Sequence, residues 1–147
     1  MRVVAELAVA RGAGFRVAAH TGVHRDRFFL EQHFALGDVA VAPKLSDTEG
    51  AGKILNYMAM ELPTVAFDTP VSREYLGALG TYAGHTGDPA ALADAIAGLL
   101  DEPPQRRTEL GHELRARVAR HFSWDRAGRQ LLAIYRSVLE PQTRKSR

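Results

Sequence analysis

Two short apolar runs, Val39–Ala42 and Thr64–Phe67, constrain the fold of this chain more than any other feature of its sequence. Between them lie a loop rich in small residues and then, over residues 53–60, an apolar pattern with helical spacing. A strand, a helix and a second strand in that order require a crossover connection, which pairs the strands in parallel. Residues 15–19 could form an earlier strand and Thr81–Ala83 a fourth, at the edge. The pattern predicts an α/β fold, a Rossmann-like doubly wound parallel sheet flanked by helices.

Helix start signals divide the second half of the chain. Thr69 and Asp88 each precede a proline, the arrangement of an N-cap followed by the first helical position. They predict helices over about residues 70–79 and from residue 89 onward. A further helix is expected over about residues 105–121.

Ser123 is predicted to cap the last helix, over residues 124–139. Phe122 and Trp124 beside it are expected to be core residues. Further along this helix lies an apolar group whose exposure would be a liability for solubility or a route to a homodimer: Leu131, Leu132, Ile134 and Tyr135.

Length and composition exclude several classes of protein. The chain has 147 residues, which suits one domain with a core of its own, and its formal charge of +2 gives no indication of nucleic-acid binding. Because the sequence has no cysteine, disulfides, thiolate metal sites and cysteine nucleophiles are excluded, and a cytoplasmic location is expected. No apolar run approaches the roughly 20 residues that span a bilayer.

The loop before residue 53 carries most of the functional signal. Glu49 can accept hydrogen bonds from sugar hydroxyls, and one turn into the helix Asn56 can both donate and accept. Gly50 and Gly52 would let a phosphate approach the backbone at a helix N-terminus, where Lys53 could add a positive charge. The spacing fits neither a Walker motif nor a dinucleotide fingerprint. From spacing alone, a tight turn with a solvated Glu49–Lys53 pair is an equally good interpretation.

A longer pattern resolves these alternatives. Residues 49–66 read E-G-A-G-K-I-L-N-Y-M-A-M-E-L-P-T-V-A, which resembles the donor-site signature of the family-four (group 1) retaining glycosyltransferases. Further signals follow in the family's order out to residue 139: Ser72-Arg73-Glu74, Gly87-Asp88-Pro89, Phe122-Ser123-Trp124 and Tyr135.

The resemblance implies the C-terminal, donor-binding half of a GT-B enzyme, which transfers a hexosyl group from a nucleotide-diphosphate sugar to a glycan, a lipid or a small molecule. By it, Glu49 would be the catalytic residue that contacts the sugar hydroxyls. The donor would also be bound by Gly50, Ala51, Gly52, Lys53 and Asn56. No metal ion and no cofactor are implied, since such enzymes are generally metal-independent and the nucleotide sugar is the substrate.

Three positions depart from the family's pattern. Asn56 replaces the glutamate that holds the ribose, so its contact would lack charge assistance. Glu49 lies seven positions before Asn56 rather than eight, so Thr48 competes for its role. Glu61 stands where the family has glycine, which would cost about 1 kcal/mol if the backbone there is left-handed.

The resemblance also implies that part of the enzyme is missing here, because the acceptor domain and the first strand of the donor domain have no counterpart in the sequence. We expect residues 1–140 to form the donor-binding domain, truncated at its N-terminus, and residues 141–147 a disordered basic tail. Alone, such a chain is expected to bind donor weakly and to transfer nothing.

Other interpretations remain open at this point. The chain could be a non-catalytic α/β interaction module, or a fragment of a GT-B nucleotide-sugar 2-epimerase; the F-S-W ending favours the transferase over the epimerase. An arginine stripe could bind the inner face of a membrane peripherally, although a solvated helical face is the favoured interpretation: Arg115, Arg117, Arg120, Arg126, Arg129 and Arg136.

Overall fold

The computed structural model describes residues 17–18 and 37–139. In chain order these residues form β1 (Val17–Ala18), β2 (Val39–Ala42), α1 (Gly52–Ala59), β3 (Thr64–Phe67), α2 (Pro70–Leu76), a 3-10 turn (Gly77–Leu79), β4 (Thr81–Ala83), α3 (Pro89–Asp101), α4 (Pro104–His121) and α5 (Trp124–Leu139). The outer residues of the strand predicted over 15–19, and the tail 141–147, lie outside the described residues.

The described strands form a single parallel sheet in the order β1-β2-β3-β4. Val17 is level with Val39, Ala40 with Thr64, and Val65 with Thr81. Because all the paired strands run parallel, their carboxyl ends share one edge of the sheet. The predicted parallel α/β fold is confirmed.

Alternate residues of the strands face opposite layers of helices, as the two-residue period of a strand requires. Ala40, Ala42 and Ala66 contribute to the core beneath α1 and α2. Their small side chains allow those helices to approach the backbone closely. On the other face, larger residues such as Val65 and Phe67 pack against α3.

The helices cover both faces of the sheet. Ile54 and Met58 of α1 and Leu76 of α2 share one core, to which α4 adds Leu114. An apolar stripe of α3 fills the other core: Leu92, Ile96, Leu99 and Leu100. This arrangement holds α1 against the sheet with its N-terminus at the carboxyl end of β2.

The predicted caps are present in the structure. The Thr69 hydroxyl accepts from the Ser72 N–H at 3.2 Å, the Asp88 carboxylate from the Ala90 N–H at 2.9 Å, and the Ser123 hydroxyl from the Arg126 N–H at 3.3 Å. The helix predicted over 70–79 is shorter, because α2 ends at Leu76. Its C-cap Gly77 has a φ of +58°, and from there the chain continues as a 3-10 turn.

The C-terminal helix contradicts one prediction. Trp124 was expected in the core, but its side chain is 91% exposed, because no described element covers α5 and none of that helix's residues is buried. Phe122 is half-buried, with its ring 5.3 Å from that of Tyr75 in an edge-to-face contact. The exposed apolar group is confirmed: Leu131, Leu132, Ile134 and Tyr135.

Candidate functional site

A cleft of about 630 Å³ lies where β2 ends and α1 begins. Its floor comes from the end of β2 and its wall from the first turns of α1, including Ile54 and the buried Tyr57. In an open α/β sheet, ligands bind at this position, beyond the carboxyl ends of the strands. Four predicted donor-binding residues line the cleft: Gly50, Ala51, Gly52 and Lys53.

The N-terminus of α1 forms the wall of the cleft. The helix begins at Gly52, one residue before the predicted start, and its N-cap residue Ala51 makes no side-chain cap hydrogen bond. The first turn carries no acidic side chain. No carboxylate of the first turn therefore neutralises the positive end of the helix dipole at this wall.

The two glycines differ in their surroundings. Apart from its chain neighbours and the backbone of its own helix, a Cβ at Gly52 would have no atom within 4 Å, so the fold leaves open space at this lining residue. A Cβ at Gly50 would come 3.3 Å from the hydroxyl of Tyr75, which reaches the rim from α2. No local pattern could have predicted Tyr75 here, because it lies on another helix.

Lys44 is a cleft residue that the sequence did not predict. Its Nζ donates to the Gly50 carbonyl oxygen at 3.0 Å and pairs with a Glu49 carboxylate oxygen at 3.1 Å. The side chain therefore ties the strand end to the loop before α1. Lys44 could have been predicted from its place in the sequence, since it comes two residues after β2, at the edge of the sheet where ligands bind.

Glu49 and Thr48 lie on the exposed side of the loop and do not contribute to the cleft lining. The Glu49 side chain is 77% exposed. Its backbone N–H donates to the Ser46 hydroxyl at 3.1 Å, and that of Thr48 to the same hydroxyl at 3.4 Å. The predicted catalytic carboxylate therefore stands beside the cleft, paired with Lys44.

Asn56 is exposed on α1 and is not part of the cleft lining. It is one turn after Gly52, so its side chain lies above the open glycine on the same side of the helix. The structure thus brings together the glycines and lysines of the predicted site, with Asn56, Thr48 and Glu49 around them.

A second charged pair lies at the same edge of the sheet, after β3. Arg73 donates to both carboxylate oxygens of Asp68, at 2.6 and 2.7 Å, and its guanidinium lies 4.3 Å from the centre of the Tyr82 ring. The hydrogen bonds from Arg73 hold the pKa of Asp68 below its ordinary value. The N-cap of α2 is Thr69, so Asp68 is not the capping residue.

Glu61, which replaces the family's glycine, lies in the turn that follows α1. Glu61 has a φ of +59°, so the backbone is left-handed there. Its carboxylate accepts from Arg115 at 2.8 Å and lies 3.1 Å from Nδ1 of His112. The hydrogen bond from Arg115, followed by the interaction with His112, lowers the pKa of Glu61. These contacts join the turn after α1 to α4.

Several arginines of the predicted stripe are also engaged within the fold. Arg117 donates from Nε to the Tyr75 carbonyl oxygen at 2.6 Å, and Arg115 binds Glu61. Arg120 donates to the Ala116 carbonyl oxygen of its own helix at 3.2 Å. No helix among the described residues is long and apolar enough to cross a membrane.

The cleft combines open backbone, a helix N-terminus and two cationic side chains, which is the chemistry that binds phosphate groups. Within residues 17–18 and 37–139, no three His, Asp or Glu side chains come together so as to hold a metal ion. The prediction that no metal is needed remains a prediction.

Comparison with known proteins gives the chain its family. Residues 4–102 match the family described as glycosyl transferases group 1. Among solved structures, sucrose-phosphate synthase from Thermosynechococcus elongatus is similar with a TM-score of 0.69 and 24% sequence identity, over 93% of this chain and 34% of that one. The chain thus spans about a third of that structure and shares the fold of part of a GT-B enzyme. No curated protein sequence matches it. Since the matched residues make up most of its length, the chain belongs to the group 1 glycosyl transferases.

Proposed function

We propose that this chain is the donor-binding part of a retaining glycosyltransferase that transfers a hexosyl group from a nucleotide-diphosphate sugar. The observation that carries the proposal is the cleft at the start of α1. It is lined by two lysines and by the open backbone of Gly52, and the chain belongs to a glycosyltransferase family. A diphosphate needs that combination of close backbone approach and positive charge.

In the proposed complex, the diphosphate lies against the backbone of residues 50–52, with Lys53 beside it. The dipole of α1 and the lysines stabilise the charge that develops on the leaving diphosphate, so no metal ion is required. Glu49 contacts the sugar hydroxyls, and Asn56 replaces a carboxylate at the ribose. Thr48 is the alternative to Glu49, since both lie on the same exposed loop.

The proposal needs a second domain that binds the acceptor. This chain covers 34% of the related structure, and the exposed apolar face of α5 is a surface that such a domain could cover. The acceptor, which is a glycan, a lipid or a small molecule, would bind to that second domain. The isolated chain should therefore bind donor and transfer nothing, so measurable turnover would contradict this division of roles.

Binding can be tested by NMR, following the backbone amides while UDP, GDP, ADP and their sugars are added. The expected result is a shift of the Gly50, Gly52 and Lys53 amides with one nucleotide series. Trp124 is a poor fluorescent reporter, since its side chain is 91% exposed on α5 rather than in the cleft. Shifts elsewhere, or none at millimolar ligand, would count against a donor site.

A non-catalytic interaction module is the second candidate function. It is favoured by α5, on which an apolar group is exposed and no residue is buried. In that case a partner protein would shift the amides of α5 and nucleotides would shift none. A nucleotide-sugar 2-epimerase would use the same cleft, and would be distinguished by the product that the complete enzyme releases.

A further inference from the structure

Two of the chain's three lysines line the same cleft, although they lie nine positions apart in sequence. Lys44 is the more enclosed member of its ion pair, with a side chain that is 31% exposed against 77% for Glu49. Lys44 comes just after the strand end, and Lys53 lies in the first turn of α1. Both ends of the connecting loop therefore bring a lysine to the cleft lining.

Lys44 has two partners within the fold. Its Nζ lies 3.1 Å from Glu49 and 3.0 Å from the Gly50 carbonyl oxygen. In this pairing Glu49 is not among the residues that line the cleft. One interaction thus pairs a cation of the site with the carboxylate proposed to contact the sugar.

This ion pair is suited to exchange. A pair with a mostly exposed carboxylate is weak, because water and salt screen it. A diphosphate carries more charge than a carboxylate and presents more acceptor oxygens to an ammonium group. It can therefore displace Glu49 from Lys44 while the bond to the Gly50 carbonyl keeps Nζ at the rim.

We propose that Lys44 and Glu49 form an exchangeable pair that couples the two ends of the donor. The diphosphate takes Lys44, and Glu49, once released, turns to the sugar hydroxyls. This inference rests on the proposed function and deepens it, since it makes Lys44 a second phosphate-binding residue. No covalent bond is made or broken in the exchange, and no proton transfer is required.

The exchange predicts binding effects of opposite sign for the two partners. Lys44→Met should weaken binding of the nucleoside diphosphate by about 10-fold, through loss of a charge-assisted hydrogen bond. Glu49→Gln should strengthen binding of the same sugar-free nucleotide by about 2- to 5-fold, because Lys44 no longer has a competing carboxylate. In the double variant the gain from Glu49→Gln should disappear, since its target is gone.

The measurement is the dissociation constant of the full chain for UDP, GDP and ADP, from NMR or calorimetric titration, with the nucleotide that binds wild type carried through the variants. Matched controls are Arg106→Met and Glu109→Gln, which alter an ion pair with a 3.5 Å separation on α4, outside the cleft lining. Thermal unfolding of every variant checks that the fold is kept.

Unchanged affinity in Lys44→Met, or an equal gain from Glu49→Gln with and without Lys44, would overturn the exchange while leaving the donor site standing. Failure of wild type to bind any of the three nucleotides at millimolar concentration would overturn the proposed function and this inference with it.

Discussion

Gly111 shows how closely two elements of this fold approach each other. A Cβ at this position of α4 would lie 2.1 Å from the carbonyl oxygen of Glu61. That oxygen belongs to the left-handed turn after α1, so neither backbone can give way without moving a helix. Gly98 on α3 is the opposite case, since a Cβ there would have no atom within 4 Å apart from its chain neighbours and the backbone of its own helix.

The two glycines make a matched pair for a stability measurement. Gly111→Ala should destabilise the fold by about 2 kcal/mol or more, through forced separation of α1 and α4. Gly98→Ala should stabilise it by about 0.5–1 kcal/mol, because alanine restricts the unfolded chain and favours the helix. Urea unfolding of both variants measures the difference, and equal effects would show that the close approach is absent.

Glu61 should make stability depend on pH. Its folded pKa is lowered from an ordinary 4.5 by the hydrogen bond from Arg115 and by His112, so the ionised form is favoured in the folded state. The contribution is full above the unfolded pKa and is lost as the pH falls through the folded pKa. Glu61→Gln should therefore be less stable than wild type at neutral pH, and the gap should close in acid. Urea midpoints across this range measure it; a gap that widens in acid would contradict the assignment.

Sequence patterns predicted the strands and helices well because their signals are local. Strands β2 and β3 are continuous apolar runs, and Thr69, Asp88 and Ser123 each cap the helix that follows. The prediction that Trp124 is a core residue was wrong, because its side chain can be buried only if another element covers α5, and no described element does. Local apolar character cannot supply that information.

The helix α5 should accept polar residues on its apolar face at little cost. Leu131 is 54% exposed, so Leu131→Ser should change the free energy of unfolding by less than about 1 kcal/mol. Leu114 on α4 is fully buried, and Leu114→Ala should cost about 2–5 kcal/mol. Denaturant unfolding compares the two. A large loss in Leu131→Ser would mean that something covers α5 in solution, such as a second copy of the chain.

The sequence predicted some residues of the candidate site and missed others, for a physical reason. Gly50, Gly52 and Lys53 lie in one continuous segment, so their meeting at the start of α1 follows from the strand–loop–helix pattern. Lys44 reaches the same cleft through a loop turn, and Tyr75 comes close to Gly50 from a neighbouring helix. Their positions depend on how the loop closes and how α2 packs, which the one-dimensional pattern does not contain.

The proposed binding of a nucleotide diphosphate in the cleft at the start of α1 can be tested at Gly52. Since the fold leaves open space around its missing side chain, Gly52→Leu should fill the cleft without disturbing the core. Gly98→Leu, at an equally open position on α3, is the matched control.

The decisive measurement is the affinity of wild type, Gly52→Leu and Gly98→Leu for the nucleotide diphosphate that wild type binds, with unfolding curves as a check. We predict that all three fold, that Gly98→Leu binds as wild type, and that Gly52→Leu loses binding. A folded Gly52→Leu that binds the nucleotide as tightly as wild type would show that the nucleotide does not bind in this cleft.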